Sequence, residues 1–367
     1  MANKAHSFNE IDEVIYETGF VFACENTGYF EEMSITIKQI AKDLQLAIST
    51  VSKALRDSHE ISAATKARVF AYVSEVDYTP NPYASSLKGR RSGNIAVVLP
   101  EVADSFFSEA INGIEKVAQE KGYHVMVYLT HDDAKKEQAI VRDFRNGRVD
   151  GALISIASDS QDHRHLFDLS SRNIPVVFFD RICAEVDTAS VVTNDYQCGY
   201  DATQYLISKG CKNIAFLSLF DDLQIIKNRR EGFRRAVLES TLDAQKDMIL
   251  YLTNDETKNK EKISELLSAK NRPDGIIGSV EKVTTQAYDV CNNLAISIPN
   301  DIKIIGFSHL QIAHLLNPSL TTITQPAFEM GKTASTLLFK SLEKKNTAIA
   351  REQIVIPSVL IPRGSTG

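Results

Sequence analysis

The sequence predicts a small all-α head followed by an α/β core of two lobes with doubly wound parallel sheets. Short helical patterns fill residues 33–80, and strand-like apolar runs alternate with amphipathic helical stretches from residue 93 onward. One short motif also occurs twice in that second part. Alternating strands and helices are typical of βαβ units, which build parallel sheets with helices on both faces.

Composition narrows the class of protein before any motif is considered. The chain has 367 residues, 43% of them hydrophobic and 24% charged, which is enough for two or three domains with full cores. Its five cysteines form no CxxC pair, which argues against a zinc knuckle or redox pair and suits a reducing compartment. No apolar run approaches the ~20 residues of a membrane span, and the start lacks a secretory signal. We therefore expect a cytoplasmic globular protein.

Residues 1–32 are expected to lie outside the fold as an extension. They carry one lysine against seven acids and show little sustained periodicity. Met33 immediately precedes the first well-patterned segment. We expect residues 1–32 to be a disordered arm or a mis-annotated start, with a partner-binding arm as the alternative.

Three short amphipathic helices are predicted in residues 33–80. The first begins at a T-x-x-Q capping box formed by Thr36 and Gln39. A second run, around Val51, follows after a tight turn, and a third follows Ser62. This arrangement is typical of a helix-turn-helix domain.

The head carries a small excess of positive charge and ends at two prolines. Residues 33–92 contain nine Lys/Arg and five acids, which is a weak indication of a polyanionic partner. Pro80 and Pro82 end the third helix, so residues 81–92 are predicted to link the head to the core.

Eight strand-like runs are predicted in the core. They are Ile95–Leu99, Val125–Leu129, Ala152–Ile156, Val176–Phe179, Ile214–Leu219, Met248–Leu252, Ile276–Gly278 and Ile302–Phe307. The motif RVDGALI at 148–154 is echoed by RPDGII at 272–277, which predicts two similar lobes with a cleft between them. We place lobe 1 at about 93–192 and 326–354, and lobe 2 at about 193–325 and 355–367.

The sequence lacks the motifs that enzymes of this layout commonly use for catalysis. The chain contains no G-x-G-x-x-G after the first strand and no phosphate-binding P-loop, and residues 306–310 lack the second glycine of a nucleophile elbow. The eight histidines show no recurrent metal spacing, and an exposed helix start explains His163 and His165 better than a metal site does. We expect no catalytic site, no metal and no cofactor.

Several separate blocks of sequence resemble the lactose repressor family of bacterial regulators. They are TIKQIA at 36–41, TVSK at 50–53, YTPN at 78–81 with Ala84 and Leu87, FFDR at 178–181, Arg229 before Gly232 and Phe233, and LTTITQP at 320–326. The family joins a helix-turn-helix and a hinge helix to a two-lobed core similar to periplasmic sugar-binding proteins. The resemblance extends from Thr36 to Pro362.

Four positions depart from that family pattern. Gln45 and Ala47 stand where the family usually has Gly in the turn and Ser at the next helix cap, so the turn is expected to find another conformation and one capping oxygen is missing. Glu281 and Ser308 differ from residues common in sugar-responsive members, which puts the identity of the effector in doubt.

Physical roles can be assigned within the head. Side chains at the start of a recognition helix reach base edges, whereas hydroxyls reach phosphates. The expected base readers are Ile48, Ser49 and Lys53, and the expected phosphate contacts are Thr36, Thr50 and Ser52. In the alternative interpretation, these serine and threonine side chains only cap the helix or lie on its solvated surface, and they do not contact DNA.

The linker has two interpretations. It is a flexible connection, or, as the resemblance implies, it folds on DNA as a hinge helix paired with its copy in a second subunit. In that case Leu87 is wedged into the minor groove. The expected DNA contacts in this stretch are Asn81, Tyr83, Ala84 and Leu87.

Effector contacts are expected at the carboxyl ends of strands, where open α/β sheets bind ligands. Asp180 and Arg229 lead the set, since a polyhydroxylated ligand favours carboxylate and guanidinium partners. The other candidates are Phe106, Phe107, Arg181, Asp195, Glu281, Ser308 and Gln325. Phe107 could equally be core, and Asp195 fits a helix N-cap better than a direct contact.

Together these features predict a DNA-binding transcriptional regulator, a repressor, that acts as a homodimer or higher oligomer. It should bind a near-palindromic operator in double-stranded DNA and respond to a sugar or sugar derivative held between the lobes. A solute-binding protein of a transporter and a sugar-metabolising enzyme are the alternatives with the same core fold.

Overall fold

A computed structural model describes residues 35–55, 57–76, 78, 91–158, 162–171, 174–240, 248–343 and 349–367. The predicted extension at 1–32 and the hinge residues Asn81, Tyr83, Ala84 and Leu87 lie outside the described residues. The chain forms two compact units, whose described parts are residues 35–78 and 91–367.

The head consists of three helices around a small apolar core. They are α1 (Ile37–Asp43), α2 (Ile48–Ala54) and α3 (Ala63–Glu75). Ile40, Val51, Ala54 and Val69 are fully buried and hold the three helices together. The predicted helix-turn-helix is therefore present.

The turn between α1 and α2 corrects one expectation. Gln45 has a φ of +55°, so it adopts the left-handed conformation itself and the turn does not change shape to avoid it. Ala47 caps α2 without a side-chain hydrogen bond, as expected. Only half of the predicted capping box forms, because Thr36 accepts a hydrogen bond from the Gln39 N–H at 3.3 Å while the Gln39 amide bonds to Asp43.

The core contains two six-stranded sheets flanked by helices. Its strands are β1 (Asn94–Leu99), β2 (His124–Leu129), β3 (Gly151–Ile154), β4 (Val176–Phe179), β5 (Ser190–Val192), β6 (Ile214–Ser218), β7 (Met248–Tyr251), β8 (Gly275–Gly278), β9 (Lys303–Phe307), β10 (Thr321–Thr324), β11 (Gln353–Val355) and β12 (Val359–Ile361). Its helices are α4 (Ser105–Glu120), α5 (Ala134–Asp143), α6 (Arg164–Ser171), α7 (Asp195–Ser208), α8 (Gln224–Glu239), α9 (Glu256–Ser268), α10 (Glu281–Asn293) and α11 (Ala327–Glu343).

Strand order shows the relation between the lobes. Lobe 1 has the order β11-β5-β4-β3-β1-β2 and is parallel throughout, and lobe 2 has the order β12-β10-β9-β8-β6-β7 with β12 antiparallel. The chain crosses between lobes three times, after β5, β10 and β11. Segments at these crossings are therefore placed between the two sheets.

The eight predicted strands are confirmed, and β5, β10, β11 and β12 are additions. Three of the four have only three residues, and all four lie on the outer side of their sheets or beside such a strand. Their pairing depends on the neighbouring strands, so only the assembled sheet reveals them.

The repeated sequence motif has a structural explanation in two aspartates. Asp150 accepts hydrogen bonds from the backbone N–H groups of Ser92 at 2.6 Å and Gly93 at 3.0 Å, just before β1. Asp274 accepts the N–H groups of Lys212 and Asn213, both at 2.8 Å, just before β6. The aspartate of each copy of the motif thus fixes the start of the first strand in its lobe.

Among the described residues, no helix is both long and apolar enough to span a bilayer.

Candidate functional site

Helix α2 carries five of the six predicted DNA contacts that fall within the described residues. Ile48 is 48% exposed, and Ser49 and Lys53 are also exposed, while Val51 and Ala54 on the opposite side are fully buried. Thr50 and Ser52 are half-buried, and Thr36 is exposed at the start of α1. The Lys53 ammonium group forms an ion pair with Glu60, which any DNA contact through Lys53 must replace.

At the lobe junction, the structure brings eight of the nine predicted effector residues around one small cavity. These are Phe106, Phe107, Asp180, Arg181, Arg229, Glu281, Ser308 and Gln325. They come from elements distant in sequence, including the end of β4, the start of α4 and the crossing after β10. The cavity has a volume of only about 30 Å³, because the side chains fill it themselves.

Asp195 is the ninth residue, and its predicted capping role is wrong. Asn194 occupies the N-cap of α7, and Asp195 is the first helical residue. Its carboxylate accepts a hydrogen bond from Arg229 Nε at 2.7 Å, and both side chains are at most 3% exposed. The pair joins α7 to α8 within lobe 2, where Arg229 lines the small cavity and Asp195 lines a larger cavity beside it.

Arg229 is held from three sides. Besides Asp195, its Nη1 donates to the Ser279 carbonyl at 2.7 Å, and the guanidinium lies 4.1 Å from the ring centre of Phe307. Its buried Nη2 has no hydrogen-bond partner among the described residues. A buried donor without a partner is costly, so this atom can donate a hydrogen bond to a ligand oxygen with a gain in free energy.

Glu281 connects the two lobes. Its Oε2 accepts hydrogen bonds from Ser105 in lobe 1 at 2.7 Å and from Ser308 in lobe 2 at 2.6 Å. The second link is Gln325, whose amide nitrogen donates to Asp180 Oδ1 at 3.3 Å. These contacts hold the lobes in the arrangement seen here.

Several carboxylates converge at this junction and perturb one another. Burial raises the pKa of Asp104 to about 6, with smaller increases from the negative charges of Glu281 and Asp180. Burial also raises the pKa of Asp180, against the lowering effect of Arg181 and Arg229. Asp180 also adopts a φ of +60°, in the left-handed region, directly after β4.

Sequence reasoning missed the larger cavity beside this cluster. It has a volume of about 750 Å³ and is lined from lobe 1 by the ends of β3 and β4 and from lobe 2 by the starts of α7 and α8. Asp180, Arg181 and Ile225 line both cavities. Pockets of 300–1,000 Å³ are typical of small-molecule sites, so the large cavity can hold a ligand that the small one cannot. Tyr196, Gln197 and Asn228 carried no motif that would have revealed them.

Comparisons with known proteins agree on both units. Residues 92–362 match the model of periplasmic binding proteins and the sugar-binding domain of the LacI family, and residues 36–81 match the model of bacterial regulatory proteins of the lacI family. The HTH-type transcriptional regulator DegA of Bacillus subtilis is 31% identical over 91% of this chain and 98% of its own.

Solved structures share the fold at lower identity. A lac repressor dimer bound to operator and an anti-inducer matches with a TM-score of 0.76 and 19% identity, over 90% of this chain and 99% of that one. A complex of the transcriptional regulator CelR with cellobiose matches with a TM-score of 0.67 and 22% identity, over 90% and 99%.

Proposed function

The chain belongs to the LacI family of bacterial regulatory proteins, and from this premise we propose that it is a dimeric repressor controlled by a small polyhydroxylated metabolite. It is a DNA-binding transcriptional regulator and not an enzyme. We infer that it acts in the cytoplasm, where it can reach the chromosome.

The exposed side of α2 supports the assignment of the base readers. Ile48 and Ser49 are the first two residues of the helix at its uncapped N-terminus, and Lys53 lies in its last turn. One such helix reads only a few base pairs, so two copies on a near-palindromic site are needed for specificity. Asn81, Tyr83, Ala84 and Leu87 remain the proposed hinge contacts.

A pair of exposed apolar side chains supports the dimer. Ile312 is 52% exposed and Leu315 is 69% exposed, at and just after a short 3₁₀ segment (Gln311–His314). Side chains three positions apart eclipse each other in a 3₁₀ helix, so the two form one apolar patch. A second subunit that covers this patch removes it from water.

The unpaired Arg229 Nη2 is the observation that carries the effector assignment. It has no hydrogen-bond partner in the part of the chain that the structure describes, it lies at the lobe junction, and its neighbours Asp180, Arg181 and Glu281 suit hydroxyl groups. We place the body of the ligand in the 750 Å³ cavity, with its polar end passing Asp180 and Arg181 to reach Arg229 in the adjoining small cavity. The matched family model includes a sugar-binding domain and the CelR structure holds cellobiose, which favours a sugar or sugar derivative.

Allosteric control follows from the contacts between the lobes. A ligand that replaces the Glu281 or Gln325 bonds changes the free energy of one lobe arrangement relative to another. DNA affinity then changes by the difference in ligand affinity between the two arrangements. Asp180, Arg181 and Ile225 line both cavities, so a small change in lobe separation would join the two cavities.

The test begins with selection of an operator from random duplex DNA by the full-length protein. A panel of pentoses, hexoses and disaccharides is then titrated by calorimetry and in operator gel shifts. Asp180→Asn keeps the side-chain shape and tolerates the left-handed backbone, so it should lose the sugar response but retain DNA binding. Asp187→Asn, an exposed change on the same loop, is the control. Wild-type sugar affinity in Asp180→Asn would remove Asp180 from the site.

A further inference from the structure

Three metal-ligating side chains converge on the lobe 1 wall of the 750 Å³ cavity. One ring nitrogen of His163, the sulfur of Cys183 and a carboxylate oxygen of Glu185 all lie within 4.8 Å of one another. All three residues line the cavity. Cys183 is buried, His163 is half-buried and Glu185 is exposed, so the cluster extends from the protein interior to the cavity.

The three residues come from two segments of lobe 1. His163 directly precedes α6, where its carbonyl accepts the Leu166 N–H at 2.9 Å. Cys183 and Glu185 belong to a turn in the loop between β4 and β5. His165, which is close to His163 in sequence, has a different role, since its Nε2 lies 2.7 Å from the buried carboxylate of Glu137. The two histidines therefore do not form a pair, and only folding brings His163 to the cysteine.

The donor set selects a class of metal. Imidazole nitrogen and thiolate sulfur are ligands of Zn²⁺ and related transition metals, whereas Ca²⁺ and Mg²⁺ prefer oxygen ligands alone. A thiol binds such a metal as the thiolate, after the metal displaces its proton.

Geometry allows three bonds to one ion. Ligand atoms around a tetrahedral Zn²⁺ lie about 3.6 Å apart, given bond lengths of about 2.0–2.3 Å. A contraction of about 1 Å from separations of at most 4.8 Å is sufficient, and rotation of side chains between rotamers provides changes of this size. Three protein ligands leave a fourth position, which faces the cavity.

We propose that His163, Cys183 and Glu185 bind a divalent transition metal of the Zn²⁺ class, with an open coordination position toward the cavity. A bound ion ties the loop between β4 and β5 to the start of α6. Arg181, which lines both cavities, lies two residues before Cys183 on that loop. The site does not depend on the identity of the effector.

Cobalt titration of the full-length, reduced and chelator-treated protein tests the site. Co²⁺ should bind at one equivalent and produce a thiolate-to-cobalt charge-transfer band, which Zn²⁺ then removes by displacement. Cys183→Ser and His163→Ala should each abolish the band, whereas Cys24→Ser and Cys291→Ser should retain it. Absence of the band from the wild-type protein, or an unchanged band in Cys183→Ser, would overturn the proposal.

A variant that cannot disturb the core completes the test. Glu185→Gln is isosteric and exposed, and it should weaken Zn²⁺ binding by about tenfold or more, measured by competition with a chromophoric chelator. Its thermal unfolding without metal should match that of the wild type. Unchanged Zn²⁺ affinity in Glu185→Gln would exclude the carboxylate as a ligand and with it the three-ligand site.

Discussion

Lys53 is the one charged residue of α2, whose residues are all described, and its ion pair with Glu60 is exposed to water. Exposed pairs contribute only about 0–1 kcal/mol, so little opposes the exchange of Glu60 for DNA. We expect Lys53→Ala to weaken operator binding by roughly 1–3 kcal/mol and to relax the preference at one symmetric base position. Binding to a library of single-base operator variants measures both effects.

Glu60→Gln separates the base contact from the ion pair. It removes the same pair but leaves the ammonium group, so the base preference should persist. If Lys53→Ala and Glu60→Gln relax the preference equally, the role of Lys53 is to order the head and not to read a base.

Asp104 combines a capping role with an unfavourable charge. Its carboxylate accepts the Phe106 N–H at 2.8 Å at the start of α4, while burial raises its pKa to about 6. A carboxyl with a raised pKa in the folded state stabilises the fold at low pH, and this contribution is lost as the pH rises from about 4 to 6. Asn caps a helix as well as Asp does. Asp104→Asn should therefore raise the free energy of unfolding at pH 7 by about 1–3 kcal/mol.

Urea unfolding at pH 4 and at pH 7 measures this effect, with the gain expected only at the higher pH. Asp255→Asn at the exposed N-cap of α9 is the control, because Lys258 keeps the pKa of that carboxyl below its ordinary value. Equal stabilisation of the two variants, or a gain that is the same at both pH values, would contradict the assignment of a buried charge to Asp104.

Helices α7 and α8 cross so closely that only glycine fits at two contacts. A Cβ on Gly199 would lie 2.0 Å from the Arg229 carbonyl oxygen, and a Cβ on Gly232 would lie 2.0 Å from the Tyr196 carbonyl oxygen. In lobe 1, Gly113 and Gly331 make the same kind of contact between α4 and α11. The close approach of α7 to α8 is what brings Asp195 within hydrogen-bonding distance of Arg229.

Gly232→Ala should consequently separate the two helices. We expect a loss of about 3 kcal/mol in the free energy of unfolding from overpacking, accompanied by weaker sugar binding. Gly210→Ala is the comparison, since its Cβ meets nothing within 4 Å and only the φ of +85° is unfavourable. That change should cost about 1 kcal/mol and leave sugar binding intact. Similar denaturation midpoints for the two variants would argue against a tight helix contact.

Across the assembled protein, the proposed dimer depends on the apolar patch of Ile312 and Leu315. Leu315→Asp places a charge in the interface, and we expect the protein to sediment as a monomer and to lose most of its affinity for a palindromic operator. Analytical ultracentrifugation and gel shifts on whole and half operators provide the measurement.

Leu238→Asp is a matched control for the dimer. Leu238 is 66% exposed on α8, a value close to the 69% of Leu315, yet no second strongly exposed apolar residue of α8 accompanies it among the described residues. Single exposed apolar residues are common, so this variant should remain dimeric. A dimeric Leu315→Asp protein would place the interface elsewhere.

Local patterns in the sequence were sufficient to predict the helices of the head and eight of the strands. Apolar positions such as Ile40, Ala41 and Val51 repeat with helical spacing, and the long strands are continuous apolar runs, so both can be recognised from neighbouring residues alone. The position of Asp180 after a buried strand was likewise sufficient to place it at the edge where the lobes meet.

Contacts between distant segments could be read only from the folded protein. The Asp195–Arg229 pair, the bridge from Glu281 to Ser105 and Ser308, and the cluster of His163, Cys183 and Glu185 each join residues that no local pattern connects. The left-handed φ of Gln45 also depends on tertiary packing, because the buried faces of α1 and α2 fix the turn between them. Local periodicity fixes which residues point inward, whereas the side chains that meet there depend on how whole elements pack, and that is a property of the assembled lobes.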